Sequence, residues 1–93
     1  MCENHPHPHS DTKRIVNRIA RAAGHLQSIG QMVEEGRDCS EVLIQLAAVR
    51  SAMNNIGKLI INDHMSHCIS DAVDHGDQDA LARFTEAMNI YLK

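Results

Sequence analysis

Residues 36–68 read GRDCSEVLIQLAAVRSAMNNIGKLIINDHMSHC, and the fold follows from how this stretch is read. Its apolar positions Val42, Leu46, Val49, Met53, Ile56 and Ile60 are spaced 4-3-4-3-4. That is the seam of a coiled coil rather than the wider stripe of an ordinary surface helix. Asp38 as N-cap with Glu41 three residues later makes a capping-box variant at its start. No proline interrupts the stretch before Gly76, although Gly57 lies inside it at some cost. The pattern predicts one helix over about 39–75, about 55 Å long at 1.5 Å per residue. A compact monomer of this size is only about 30 Å across, so a rod that long with an apolar seam needs partners.

Outward from this rod the punctuation is equally clear. Gly36 supplies a left-handed stop for a preceding helix that begins near Ser10 or Asp11 and runs to Glu35. Its seam is Ile15, Ile19, Ala22, Leu26, Ile29 and Val33, again 4-3-4-3-4. Residues 1–10 hold both prolines, in His5-Pro6-His7-Pro8-His9, and each forbids helix at the residue before it. A flexible, extended arm is expected there, followed by a single helical domain over 11–93. After Gly76, Asp77 caps a short third helix with Leu81, Phe84, Met88 and Tyr91 on one stripe. No stretch alternates with period two, so the expected class is all-α.

The chain has 93 residues and 2% aromatic content, so it lacks the bulky fillers that stabilise small monomers. Oligomerisation would supply the missing burial. There is no apolar run long enough to span a membrane, and the start MCENHPHPHSDTK is polar, which points to the cytoplasm. In that compartment three cysteines read as metal-binding or reactive thiols rather than as a disulfide framework. No glycine-rich phosphate loop or nucleophile motif is present, and no enzyme is expected.

Cys39, His64 and Cys68 form the constellation Cys-x24-His-x3-Cys. On a helix His64 and Cys68 project from one face about one turn apart, whereas Cys39 is far too distant along a straight rod to join them. Two thiolates and an imidazole suit Cu(I), Zn(II) or Ni(II). One ion held by all three must therefore join two chains. If helices 1 and 2 form an antiparallel hairpin and two hairpins pair, Cys39 of one chain meets the His64 and Cys68 region of its partner. Cys39 in a first helical turn also feels the positive end of the helix, which favours the thiolate. The bland alternative is two small buried cysteines and a solvated histidine.

Charge is uneven. The net charge is −3, yet Lys13, Arg14, Arg18 and Arg21 stand without an acid up to Val33. After residue 62 six acids face only Arg83 and Lys93. Arg14, Arg18 and Arg21 recur at 4-3 spacing with His25 continuing the line, a cationic stripe beside the apolar seam. Arg50 and Lys58 extend it on the second helix. The ordinary reading is a solvated helix face; the functional one is a phosphate-contacting surface, strongly salt-dependent and partly reading DNA shape. No helix-turn-helix signature and no basic region followed by heptads is present.

The stretch Gly36–Val49, then Asp63-His64-Met-Ser-His-Cys68, and Asn17-Arg18-Ile19 leading to Gly24-His25-Leu26, resembles the CsoR/RcnR family of small all-helical bacterial metal-sensing repressors. The resemblance spans about residues 11–92. It implies an antiparallel four-helix-bundle homodimer assembling to a homotetramer, operator DNA bound without metal, release when the ion binds between subunits, and derepression of efflux or chaperone genes. Copper sensors of the family use the Cys-His-Cys trio, which Cys39, His64 and Cys68 reproduce. Nickel and cobalt sensors add an arm histidine, and His7, 32 residues before Cys39, falls in that register. Cu(I) is thus the first choice of ion, with Ni(II) and Zn(II) as alternatives. The tyrosine and glutamate that often flank the copper site in relatives are replaced by Asp38 and Phe84, with Glu86 nearby. The resemblance implies Arg18 as a DNA contact, while a second basic position of relatives aligns with Asn55. Two other functions fit parts of the pattern: a thiol sensor acting through Cys39 on formaldehyde or sulfur species, and a metal chaperone without DNA.

Overall fold

Glycine stops and aspartate caps set the helix ends in the computed structural model, which describes residues 12–93. The proposed caps Ser10 and Asp11 and the His/Pro arm with His7 lie outside the described residues. Helix α1 spans Thr12–Glu34 and α2 Cys39–Ile60; a π-helical turn occupies Ile61–Met65, followed by α3, Ser66–Asp74, and α4, Gln78–Tyr91. No strand occurs among the described residues.

Helices α1 and α3 end alike. Gly36 has φ 71° and Gly76 φ 65°. Gly36 N–H donates to the Val33 carbonyl at 3.1 Å and Arg37 N–H to Met32 at 3.0 Å. Gly76 and Asp77 repeat the pattern on Val73 and Ala72 at 3.2 and 2.8 Å. Both ends are Schellman motifs, which place the left-handed residue where glycine carries no Cβ penalty. Asp77 Oδ1 then accepts from Ala80 N–H at 3.0 Å, the cap expected for the last helix. The capping box at α2 is not built as expected. Glu41 instead accepts two hydrogen bonds, at 3.4 and 3.3 Å, from the Arg37 guanidinium, whose forked donors match a carboxylate better than one backbone N–H.

The single helix predicted over 39–75 also differs in one respect. Helical dihedrals continue through Ile60, Met65 and Ser66, but residues 61–65 form a π turn closed by Ser66 N–H on the Ile61 carbonyl. The Ser66 hydroxyl donates to the same carbonyl at 3.1 Å, a local competitor for the ordinary ladder.

The described residues divide into two compact units, one ending at Lys58 and the other spanning Leu59–Lys93. In the first, α1 and α2 lie side by side. His25 meets Gln45, while Arg18, Arg21 and Ala22 border one cleft with Ala52, Asn55 and Ile56. Residue numbers fall on one helix as they rise on the other, so the pair is an antiparallel hairpin. Its inner register is Ile15, Arg18, Ala22, His25, Ile29 and Met32 on α1, and Val42, Gln45, Val49, Ala52 and Ile56 on α2, all buried or half-buried. Ile15, Ile29, Val49 and Ile56 are its buried centre, each contributing about 1.5–3 kcal/mol.

Only half of each predicted seam is used inside the hairpin. Ile19, Leu26, Leu46 and Met53 remain 47, 49, 42 and 54% exposed, with Val33, Leu43 and Ile44 more exposed still. No described side chain is sealed below 2% exposure. The hairpin core is therefore thin, and a wide apolar face is left uncovered in the single chain. In the second unit α3 packs on α4 through the small buried residues Cys68, Ala72 and Ala80.

Candidate metal centre and nucleic-acid face

The expected metal ligands fall on three different local settings. Cys39 is the first residue of α2, a free and exposed thiol. His64 occupies the π turn, and Cys68 lies on α3, only 4% exposed. The sulfur of Cys68 is in a disulfide, which corrects the reading of every cysteine as a reduced thiol. Cysteine count and spacing carry no information about oxidation state, so the sequence could not anticipate it. His7, the expected arm ligand, lies outside the described residues. Among the described residues no three histidine, cysteine or carboxylate side chains converge on one point. As donors, two sulfurs and one imidazole nitrogen match a soft or borderline ion, provided Cys68 is reduced to supply a thiolate.

The cationic stripe is realised on the hairpin. Arg14 and Arg21 are exposed on α1 and Arg18 is half-buried; Arg50 and Lys58 are exposed on α2. From Lys13 to Val33 and from Val42 to Asn62 the chain carries no acid. The acids of the described hairpin, Glu34, Glu35, Asp38 and Glu41, all gather at its turn. The rest of the hairpin thus presents only positive charge, whose field reaches about 8 Å at physiological salt.

Between the helices lies a cleft of about 170 Å³ lined by Arg18, Arg21, Ala22, His25, Ala52, Asn55 and Ile56. It joins two of the expected arginines to residues of α2. Arg14, Arg50 and Lys58 do not line it. His25 Nε2–H donates to Gln45 Oε1 at 2.7 Å, a polar rung inside an otherwise apolar inner register. Sequence reading placed His25 only as an extension of the stripe and passed over Gln45. The signal was available, because His25 and Gln45 each stand three residues after an inward position, Ala22 and Val42.

The second unit is the acidic one. There the Asp71 carbonyl, 2.8 Å from His75 Nδ1, and then the Asp71 carboxylate at 3.5 Å hold the His75 imidazole above its ordinary pKa. No helix among the described residues is long and apolar enough to cross a membrane.

Residues 11–92 match the family described as metal-sensitive transcriptional repressor. The copper-sensing transcriptional repressor CsoR of Bacillus subtilis (strain 168) is 35% identical over 80 residues, covering 86% of this chain and 77% of that protein. The solved structure of the nickel-responsive transcriptional regulator InrS is 41% identical, with TM-score 0.71, covering 94% of this chain and 99% of that one. The copper-sensing repressor CsoR with Cu(I) from Geobacillus thermodenitrificans NG80-2 shares the fold at TM-score 0.83 and 24% identity, over 96% and 94% of the two chains. Matched along nearly its whole length and helical throughout the described residues, the chain belongs to the metal-sensitive transcriptional repressor family.

Proposed function

We propose that this protein is a metal-responsive repressor that holds operator DNA when metal-free and releases it on binding Cu(I), derepressing metal efflux or chaperone genes. The donor set carries the reading: Cys39, with His64 and Cys68 of the partner subunit, is a trio that Cu(I) accepts in a trigonal site. A helical path from Cys39 to His64 covers about 38 Å at 1.5 Å per residue, so one ion reaches both only across two chains. The uncovered apolar face of the hairpin supports a dimer, and we extend it to a dimer of dimers. Copper as first choice is supported by the likeness to the Bacillus subtilis copper sensor. Metal uptake requires the reduced protein, because Cys68 binds as a thiolate.

Operator DNA is held through Arg14, Arg18, Arg21, Arg50 and Lys58. These residues position the duplex by its phosphates, so affinity falls steeply with salt. Ion and DNA favour different arrangements of the protomers, and each weakens the other by the same coupling free energy. The protein works in the cytoplasm, with no small-molecule substrate. A second reading is nickel, with His7 as fourth donor in a square-planar site; the 41% identity to a nickel-responsive regulator favours it. Zn(II) is a further candidate on donor chemistry alone.

The test is a titration of chelator-buffered Cu(I) into reduced protein bound to operator. Copper sensing predicts release at stoichiometric metal. Unchanged DNA affinity in saturating metal sinks the sensor reading. Visible Ni(II) bands that vanish in His7→Ala, with release by Ni(II) and none by Cu(I), transfer the assignment to nickel.

A further inference from the structure

We propose that the α1/α2 cleft is a seat for one backbone phosphate of the bound DNA, and that Gln45 is the positioning residue that aims His25 into it. The inference rests on the DNA-binding reading and adds two residues which that reading leaves out.

Three observations point the same way. The cleft is about 170 Å³, enough for a tetrahedral oxyanion, and its polar lining is Arg18, Arg21, His25 and Asn55, all donors toward an anion. No acid borders it, and none occurs on either helix between Lys13 and Val33 or between Val42 and Asn62. The His25 ring is pinned by its Nε2–H on Gln45 Oε1 at 2.7 Å. That leaves Nδ1 as the ring atom for a ligand. A ring that donates to an oxyanion in the cleft as well as to Gln45 carries a proton on both nitrogens, the second taken from solvent. Nε2–H then donates to Gln45 and Nδ1–H to the anion, so both partners of the imidazolium are acceptors, as its chemistry requires. The groups facing the ring are Arg18 and Arg21 from α1 and Gln45 and Asn55 from α2.

A polar rung between two helices could serve only to fix their register. Gln45→Glu separates the two roles. It keeps an acceptor for His25, so helix content and thermal midpoint are retained, but it sets a negative charge beside the seat. The probe is sulfate, added to the apo protein at constant ionic strength against chloride, with the His25 ring followed by NMR. In the wild type the ring resonances shift and saturate with sulfate. In Gln45→Glu they do not respond. With operator DNA, His25→Ala weakens binding about tenfold or more, and the plot of log affinity against log salt becomes shallower by about 0.9 per seat lost. If Gln45→Glu does not fold, Gln45→Leu, which removes the acceptor that aims the ring and leaves the ring in place, is read in the same way and loses the response.

A wild-type ring indifferent to sulfate, an undiminished response in Gln45→Glu, or an unchanged salt slope in His25→Ala overturns the seat. Wild-type protein that responds to sulfate but binds no operator overturns the DNA-binding reading instead, and with it the phosphate assignment.

Discussion

Leu26 lies on the uncovered apolar face of the hairpin, the face on which the proposed dimer depends. It belongs to the seam on α1, yet 49% of it remains exposed in one chain. Burying a whole leucine contributes about 1.5–3 kcal/mol, so covering the exposed half contributes about 1 kcal/mol. In a two-fold symmetric interface the residue counts twice, giving about 2 kcal/mol per dimer for Leu26→Ala. At 1.4 kcal/mol per tenfold, that raises the dimer dissociation constant about 30-fold. Sedimentation equilibrium over a wide concentration range reads this directly. Circular dichroism of the variant at high concentration should be unchanged, because Leu26 contributes little to the hairpin interior. Leu46→Ala, at 42% exposure, should behave alike, and the double variant should dissociate further. Because they share one face, their effects need not sum. Self-association of Leu26→Ala matching the wild type would refute the claim that this face is covered by a second copy.

Other perturbations reach separate parts of the account. Arg18→Ala should nearly abolish operator binding in an electrophoretic shift while copper affinity stays within a few-fold; loss of both together would mean the residue is structural. Gly36→Ala forces a side chain into φ 71° with nothing within 4 Å of the new Cβ, so the cost is conformational, about 1–2 kcal/mol by denaturant melts. No change there would contradict the left-handed stop. The imidazole of His75 is held above its ordinary pKa by the Asp71 carbonyl and carboxylate. The stability it adds is therefore complete below about pH 6.5 and lost as pH rises through the folded-state value. Urea midpoints should show a small fall over that window in wild type and a flatter profile in His75→Gln; identical profiles would remove the contact from consideration.

What the sequence disclosed follows physical rules that act locally. Left-handed stops at Gly36 and Gly76 and the cap at Asp77 were legible because each depends on one residue's backbone preference. The 4-3 seams were legible as seams, but not as two surfaces. A period near 3.5 says that Ile15, Ile19, Ala22 and Leu26 share a side of the helix. It does not say that Ile15 and Ala22 turn inward while Ile19 and Leu26 stay half exposed. The π turn at Ile61–Met65 escaped because no glycine or proline announces it; Ser66 bonding back to Ile61 is a tertiary choice among helical ladders. Glu41 was misassigned because a neighbouring guanidinium competes with the backbone for its carboxylate. The His25–Gln45 rung is not legible from charge or apolar spacing, because both of its members are polar residues at positions of the inner register. The disulfide at Cys68 is a matter of oxidation, which residue spacing does not encode.

The most direct measurement uses mixed dimers. Protomers carrying Cys39→Ala are paired with protomers carrying Cys68→Ala, purified through two different tags, and loaded with Cu(I) under reductant. If each ion takes Cys39 from one chain and His64 with Cys68 from the other, the mixed dimer rebuilds one complete site and carries half the wild-type copper. Either variant alone then carries none at that affinity. Mixed dimers as empty as the single variants would show that the ligands belong to one chain, contradicting the shared site on which metal-driven release of DNA depends.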